Sequence, residues 1–287
     1  MVDDNSGSRE PQPAEAPARQ RSDGRVWLRA GPAGGAGPTR VLDLAEAGPS
    51  RLRFPRQEGA LEAVLVNTAG GVACGDAFTI TLDLAPGADL VLTTTAAEKI
   101  YRSDGPVSRI ENRIALAEGA RLAWLPQETI LFDRARVRRR FEADLAGSAA
   151  LLAVEIMAFG RAARGERIAS GLFADVWRVR RAGRLVYADS LVLDGPISDL
   201  LDRPAIGGGA RACATLLDLS HGAEARLEEA RARLEEAAGP GIEAAASAWN
   251  GHLAIRVLAE GVGPLRSLVA RFLAGYRARP MPRVWQS

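Results

Sequence analysis

Apolar and polar residues alternate through the middle of this chain. Phe78, Ile80, Leu82 and Leu84 are separated by Thr79, Thr81 and Asp83, which is the period of a strand with one buried face. Ile110, Ile114 and Leu116 repeat the pattern, Val154, Ile156 and Ala158 follow, and Leu185 to Val192 forms a further apolar stretch. Gly- and Pro-marked turns fall between them, so strands are predicted from Val41 to about Leu193. Three stretches also resemble one another. They are Leu84-Ala85-Pro86-Gly87-Ala88-Asp89-Leu90, Leu116-Ala117-Glu118-Gly119-Ala120-Arg121-Leu122 and Leu145-Ala146-Gly147-Ser148-Ala149-Ala150-Leu151, at spacings of 32 and 29 residues. A strand, a turn and a second strand recurring at that period predict a mainly β fold of stacked or solenoid-like sheets. Chance repetition of a common hairpin turn is the competing explanation.

Helical periodicity comes late, and two C-terminal helices are predicted. Ala223 to Ala238 places Leu227, Ala230, Leu234 and Ala237 on one stripe, with Glu229 four residues before Arg233, a stabilising spacing. Pro264 suits a first helical position, and Leu265, Leu268, Val269, Phe272, Leu273 and Tyr276 then share a face. His252 to Leu258, between them, alternates like a strand. Residues 1–24 are rich in Pro, Ala, Ser, Arg and acids and lack apolar periodicity, which predicts a disordered tail. Residues 25–287 read as one β-rich domain, with no linker that would divide it.

Composition narrows the chemistry. With 287 residues and 47% apolar content the chain can bury a sizeable core. Its 37 basic and 35 acidic residues give a net charge of +2, too little to draw in nucleic acid or an anionic membrane. No apolar run approaches the ~18 residues of a membrane span, and the N-terminus lacks the apolar segment of a secretory signal. Cys74 and Cys213 do not make a disulfide framework, so a cytoplasmic setting is expected. The two histidines, His221 and His252, form no ligand-spaced set with the cysteines. A metal handled here must be held by carboxylates, a thiolate or backbone, and weakly. Neither a phosphate-binding P-loop, a dinucleotide fingerprint nor a hydrolase motif occurs.

Gly70 to Asp76 reads as a tight turn with Asp76 bonding the backbone, or else as a cavity wall carrying Asp76 and Cys74. Lys99 is the single lysine among 37 basic residues. In Glu98-Lys99-Ile100-Tyr101-Arg102 it predicts an ion pair at a strand end with Tyr101 anchoring the turn; buried, it would be a base or nucleophile. Glu128 and Glu155 stand among apolar residues, where a carboxylate must be paired, exposed or functional. Two such groups could serve a hydrolase or line a hydrated path for a weakly held cation such as Ni²⁺. Arg134, Arg136, Arg138, Arg139 and Arg140 precede Glu142 and Asp144 without interleaved aromatics, the pattern of a solvated strand face or a protein interface rather than a nucleic-acid site.

Four segments together resemble the urease accessory protein UreD (UreH) family. They are Asn67-Thr68-Ala69-Gly70-Gly71 with Gly75-Asp76, Thr94 to Arg102, Trp124 to Phe132, and Gly160-Arg161 with Gly165-Glu166, in order and spacing from about Val26 to Asp194. Cys74 stands where that family leads one to expect Gly or another small residue. The resemblance implies a mostly β, helix-poor scaffold that is not an enzyme and holds no permanent cofactor. Such a protein binds UreF, joins the GTPase UreG through it, docks on apo-urease and helps deliver Ni²⁺ along an internal passage. On the resemblance, Asp76, Glu98, Glu128, Glu155 and Glu166 are the acidic groups expected near that passage or supporting its walls. The rival expectations are a carboxylate-dependent hydrolase on a β scaffold, and a plain interaction scaffold with no passage.

Overall fold

The computed structural model describes residues 21–35, 37–56 and 59–286. The strands run β1 (Asp23–Pro32), β2 (Thr39–Ala47), β3 (Ser50–Arg53), β4 (Leu61–Asn67), β5 (Ala77–Leu84) and β6 (Asp89–Thr94). They continue as β7 (Glu98–Ile100), β8 (Ser108–Leu116), β9 (Arg121–Leu125), β10 (Thr129–Leu131), β11 (Arg136–Leu145) and β12 (Ala150–Phe159). Then come β13 (Gly171–Arg181), β14 (Arg184–Gly195), β15 (Ala212–Asp218), β16 (Ile242–Trp249) and β17 (His252–Ala259). The helices are α1 (Ile197–Asp202), α2 (Leu227–Ala237) and α3 (Val262–Arg277). Asp23 and Gly24, placed in the tail on sequence grounds, already belong to β1; residues 1–20 lie outside the described residues.

Two sheets face each other. The first has the order β14-β13-β11-β8-β5-β1-β2; the second runs β16-β17-β15-β12-β9-β6-β4-β3, with β10 joining β12 to β7. The repeated heptads build this stack. Strands β5, β8 and β11 lie parallel in the first sheet, and β6, β9 and β12 lie parallel in the second. Each heptad is the turn that carries the chain across. The turns lie on one another through Ala117 N–H to Leu84 O (3.0 Å), Ala146 N–H to Leu116 O (2.8 Å) and Gly87 N–H to Glu118 O (3.0 Å). Gly87 and Gly119 take left-handed φ of 71° and 68°, a conformation that strains any residue with a Cβ. The third copy has Ser148 at that place, and its N–H donates to the Glu118 carboxylate at 3.0 Å.

Helices α2 and α3 cover the outer face of the second sheet. Leu265, Leu268, Val269, Phe272 and Tyr276 pack with Val154, Ile156, Leu216, Ile255 and Val257. Strand β12 is therefore buried on both faces over most of its length, and its sequence is an apolar run for that reason. Pro264 stands third in α3, still in the first turn, where its missing N–H has no intrahelical acceptor. The six residues of α1 are too few to show a helical period, and sequence reading passed over them. No helix among the described residues is long and apolar enough to cross a membrane.

Between the sheets the core is not continuous. One apolar cluster lies toward the repeated turns and includes Leu82, Leu116, Phe141, Leu151, Ala153 and Trp177. A second lies at the other end and includes Phe78, Val137, Met157, Phe159 and Phe173.

Candidate functional site

A belt of polar side chains separates those two clusters. Inward-facing residues on a strand recur every second position, so each strand can be followed from one cluster into the other. On β11 the series is Val137, Arg139, Phe141; on β13 it is Phe173, Asp175, Trp177; on β12 it is Met157, Glu155, Ala153. The middle residue is charged in all three and buried, at 7%, 8% and 7% exposure for Arg139, Asp175 and Glu155.

Arg139 bridges the sheets. Its Nη1 donates to Glu155 Oε2 at 2.9 Å and to Thr129 Oγ1 at 3.2 Å, and its Nη2 donates to Asp175 Oδ2 at 2.7 Å. Two indoles complete the set: Trp124 Nε1–H donates to Glu155 Oε1 (2.9 Å) and Trp177 Nε1–H to Asp175 Oδ2 (3.1 Å). Burial works against the Arg139 charge, but Asp175 and Glu155 outweigh it and hold the guanidinium above its ordinary pKa. Burial raises the Glu155 carboxyl, and Arg139 opposes that rise. Farther along, Glu155 pairs in register with Thr215, and Thr215 with Arg256. Arg256 donates to Thr215 Oγ1 at 2.9 Å and pairs with Asp189, so the belt reaches half-exposed groups at that side of the sandwich.

On the other side of Arg139 lies a chamber of about 70 Å³, walled by Glu98, Asn112, Trp124, Thr129, Arg139 and Glu155 among others. Asn112 Oδ1 and Arg139 Nε are buried without a hydrogen-bond partner. A second cavity of about 130 Å³ lies against Gly70 and Thr94 to Lys99, and shares Leu65, Asn67, Thr94 and Glu98 with the chamber as a common wall. Glu98 stands at that partition. Asn67 Nδ2 donates to its two oxygens at 3.3 and 3.2 Å. Burial raises the Glu98 carboxyl above its ordinary value, and the Asn67 bond only partly offsets this.

The five acidic residues expected from sequence divide accordingly. Glu98 and Glu155 come together on one chamber. Asp76 lies apart and braces the glycine-rich turn, accepting Ser22 N–H on Oδ1 and Ala73 N–H on Oδ2, both at 2.8 Å. Gly71 in that turn allows close approach, since a Cβ there would fall 2.4 Å from the Tyr101 ring, and Tyr101 O–H bonds Gly70 O at 3.1 Å as the anchor. Glu128 faces α3, with Oε2 at 3.5 Å from Arg266 Nε. Glu166 accepts two bonds from the Arg161 guanidinium, at 2.8 and 2.6 Å, which hold its carboxyl below the usual range.

Two expectations need correction. The ion pair foreseen for Lys99 and Glu98 is replaced by the Asn67–Glu98 bond; Lys99 is exposed while Glu98 turns inward, because neighbours on a strand point to opposite faces. The arginine run, expected to be a solvated strand face or a protein interface, is neither throughout. Arg138 and Arg140 are exposed, but Arg139 between them is buried. Its alternation with Val137, Phe141, Ala143 and Leu145 was the signal that could have found it. Asp175 and Asn112 carried the same signal and were also missed. Among the described residues no group of three or more His, Cys, Asp or Glu side chains is placed to hold a metal ion.

The family model described as UreD urease accessory protein matches residues 22–286. Urease accessory protein UreD 1 of Methylobacterium radiotolerans is 80% identical, over 95% of this chain and 94% of its own length. Urease accessory protein UreD 2 of Methylorubrum populi is 65% identical, over 96% and 94%. The UreD protein of Xanthobacter autotrophicus is 54% identical, over 94% and 92%.

Proposed function

The chain belongs to the UreD family of urease accessory proteins and so serves urease maturation, and we propose that it does so as a non-catalytic scaffold whose inter-sheet belt conducts Ni²⁺ toward apo-urease. In this reading UreF holds the chain and links it to the GTPase UreG, so nucleotide hydrolysis belongs to a partner. Nickel is cargo, and no cofactor stays bound.

One observation carries the proposal: Glu98 and Glu155, distant in sequence, line the same chamber. Oxygen donors without histidine hold a borderline cation weakly, which suits transfer. Polar side chains follow one another from the cavity beside Lys99 through the belt to the Arg256–Asp189 pair. A chamber of about 70 Å³ has room for a few water molecules, enough for a hydrated cation. The Asn112 oxygen in the chamber wall has no protein partner, which leaves it available to the hydration shell of a passing cation.

The test uses cells that produce urease with its accessory proteins. Glu98→Gln and Glu155→Gln should each lower the nickel content and activity of the purified urease severalfold, while UreF still co-purifies with the variant. Full nickel loading with both variants overturns the passage. Failure of the unmodified chain to co-purify with UreF overturns the scaffold role.

A further inference from the structure

Among the described residues that wall the chamber, Arg139 is the only cation. Its charge cannot leave easily. Nη1 is engaged by Glu155 and Thr129 and Nη2 by Asp175, so withdrawing the side chain would strand two buried carboxylates. Glu155 is engaged on both oxygens, by Arg139 and Trp124. The acceptors not tied to Arg139 are therefore the Glu98 carboxylate, which takes bonds from the neutral Asn67 amide and the Lys99 backbone N–H, and the Asn112 Oδ1. A hydrated divalent cation in the chamber meets those oxygens on one side and a fixed guanidinium on the other.

We propose that Arg139 is a positioning residue that sets how loosely the chamber holds a divalent cation, its fixed positive charge keeping the seat a transit point and not a trap. This rests on the passage reading above. The charge count explains the arrangement: Arg139 with Glu155 and Asp175 leaves one net negative charge, enough to admit a cation next to Glu98. Removing the guanidinium would leave Glu155 at the seat, and Asp175 behind it, with only their indole donors Trp124 and Trp177. Asp175 does not wall the chamber and acts only through this balance.

The experiment titrates Ni²⁺ into the full chain, followed by tryptophan fluorescence, because the Trp124 indole is bonded to Glu155. Arg139→Gln should bind Ni²⁺ at least about tenfold more tightly, and Asp175→Asn about tenfold more weakly, as unit charges in a partly dry site dictate. Arg139→Lys keeps the charge and should stay near the unmodified affinity. In cells, Arg139→Gln should deliver less nickel to urease although it binds the metal better and still co-purifies with UreF. If Arg139→Gln does not fold, Asp175→Asn decides, since it leaves the Arg139–Glu155 pair in place. Affinities that stay unchanged across the series, with Glu98→Gln still blocking delivery, overturn the role of Arg139 and leave the passage standing. Unimpaired delivery by Glu98→Gln removes the passage, and this role with it.

Discussion

The two parts of the inter-sheet space are built on opposite terms. Toward the repeated turns, Leu84, Leu116 and Leu145 stack one above another in three successive coils and are at most 3% exposed. Three inward steps from Leu145 along β11, roughly 20 Å at ~3.3 Å per residue, stands Arg139 with its two carboxylates. The apolar part has only burial to satisfy. The belt needs each charge met by a partner of the right geometry, and a buried ion pair that meets this demand still adds little net stability. The contrast teaches that stability resides in the stacked leucines and that the charged belt is retained for another purpose.

The sharpest way to break that comparison is to unbalance the belt. Arg139→Met alone should cost about 3–5 kcal/mol by equilibrium urea denaturation, because it abandons two buried carboxylates. Adding Glu155→Leu and Asp175→Leu should restore the native stability or exceed it by about 1–4 kcal/mol, while nickel delivery stays lost. A triple variant no more stable than Arg139→Met would show that the belt does hold the fold together. In the apolar part, Leu82→Ala should cost about 2–5 kcal/mol, with Ni²⁺ affinity of the folded chain unchanged; a shift in affinity would mean that the two parts are not separable.

The smallest effect concerns Glu98. Burial raises its carboxyl in the folded chain, so at neutral pH the folded state carries a charge that the unfolded chain holds more comfortably. The penalty is present above the folded pKa and fades as pH falls through it toward the ordinary glutamate value. Glu98→Gln should therefore be the more stable protein near pH 8 and lose that advantage near pH 5, by urea denaturation at both. By the same competition between proton and metal, Ni²⁺ binding to the unmodified chain should strengthen as pH rises through that range.

Much of this was legible beforehand. Strand β5 was predicted from Phe78, Ile80, Leu82 and Leu84, and these are its buried face. The repeated heptads marked the stacked turns, and the stripe from Leu265 to Tyr276 marked α3. Glu155 stood out because an acid between Val154 and Ile156 demands an explanation. Arg139 did not, because an arginine among arginines looks like a solvated face until its strand phase is counted. Asp76 and Glu166 stood out equally with Glu155 and proved to be bonded to backbone and to Arg161, so acidity near a motif did not separate chamber walls from braces.

Strand period, turn chemistry and helix stripe are local, since each depends on neighbours a few positions away, and the chain's order carries them directly. The chamber depends on which strands become neighbours across two sheets. Glu98, Asn112, Arg139, Glu155 and Asp175 lie on five different strands, and they meet only because parallel stacking brings one position of each coil to the same level. Burial of a charge, its partner and the shift of its pKa all follow from that meeting, and no stretch of sequence contains them.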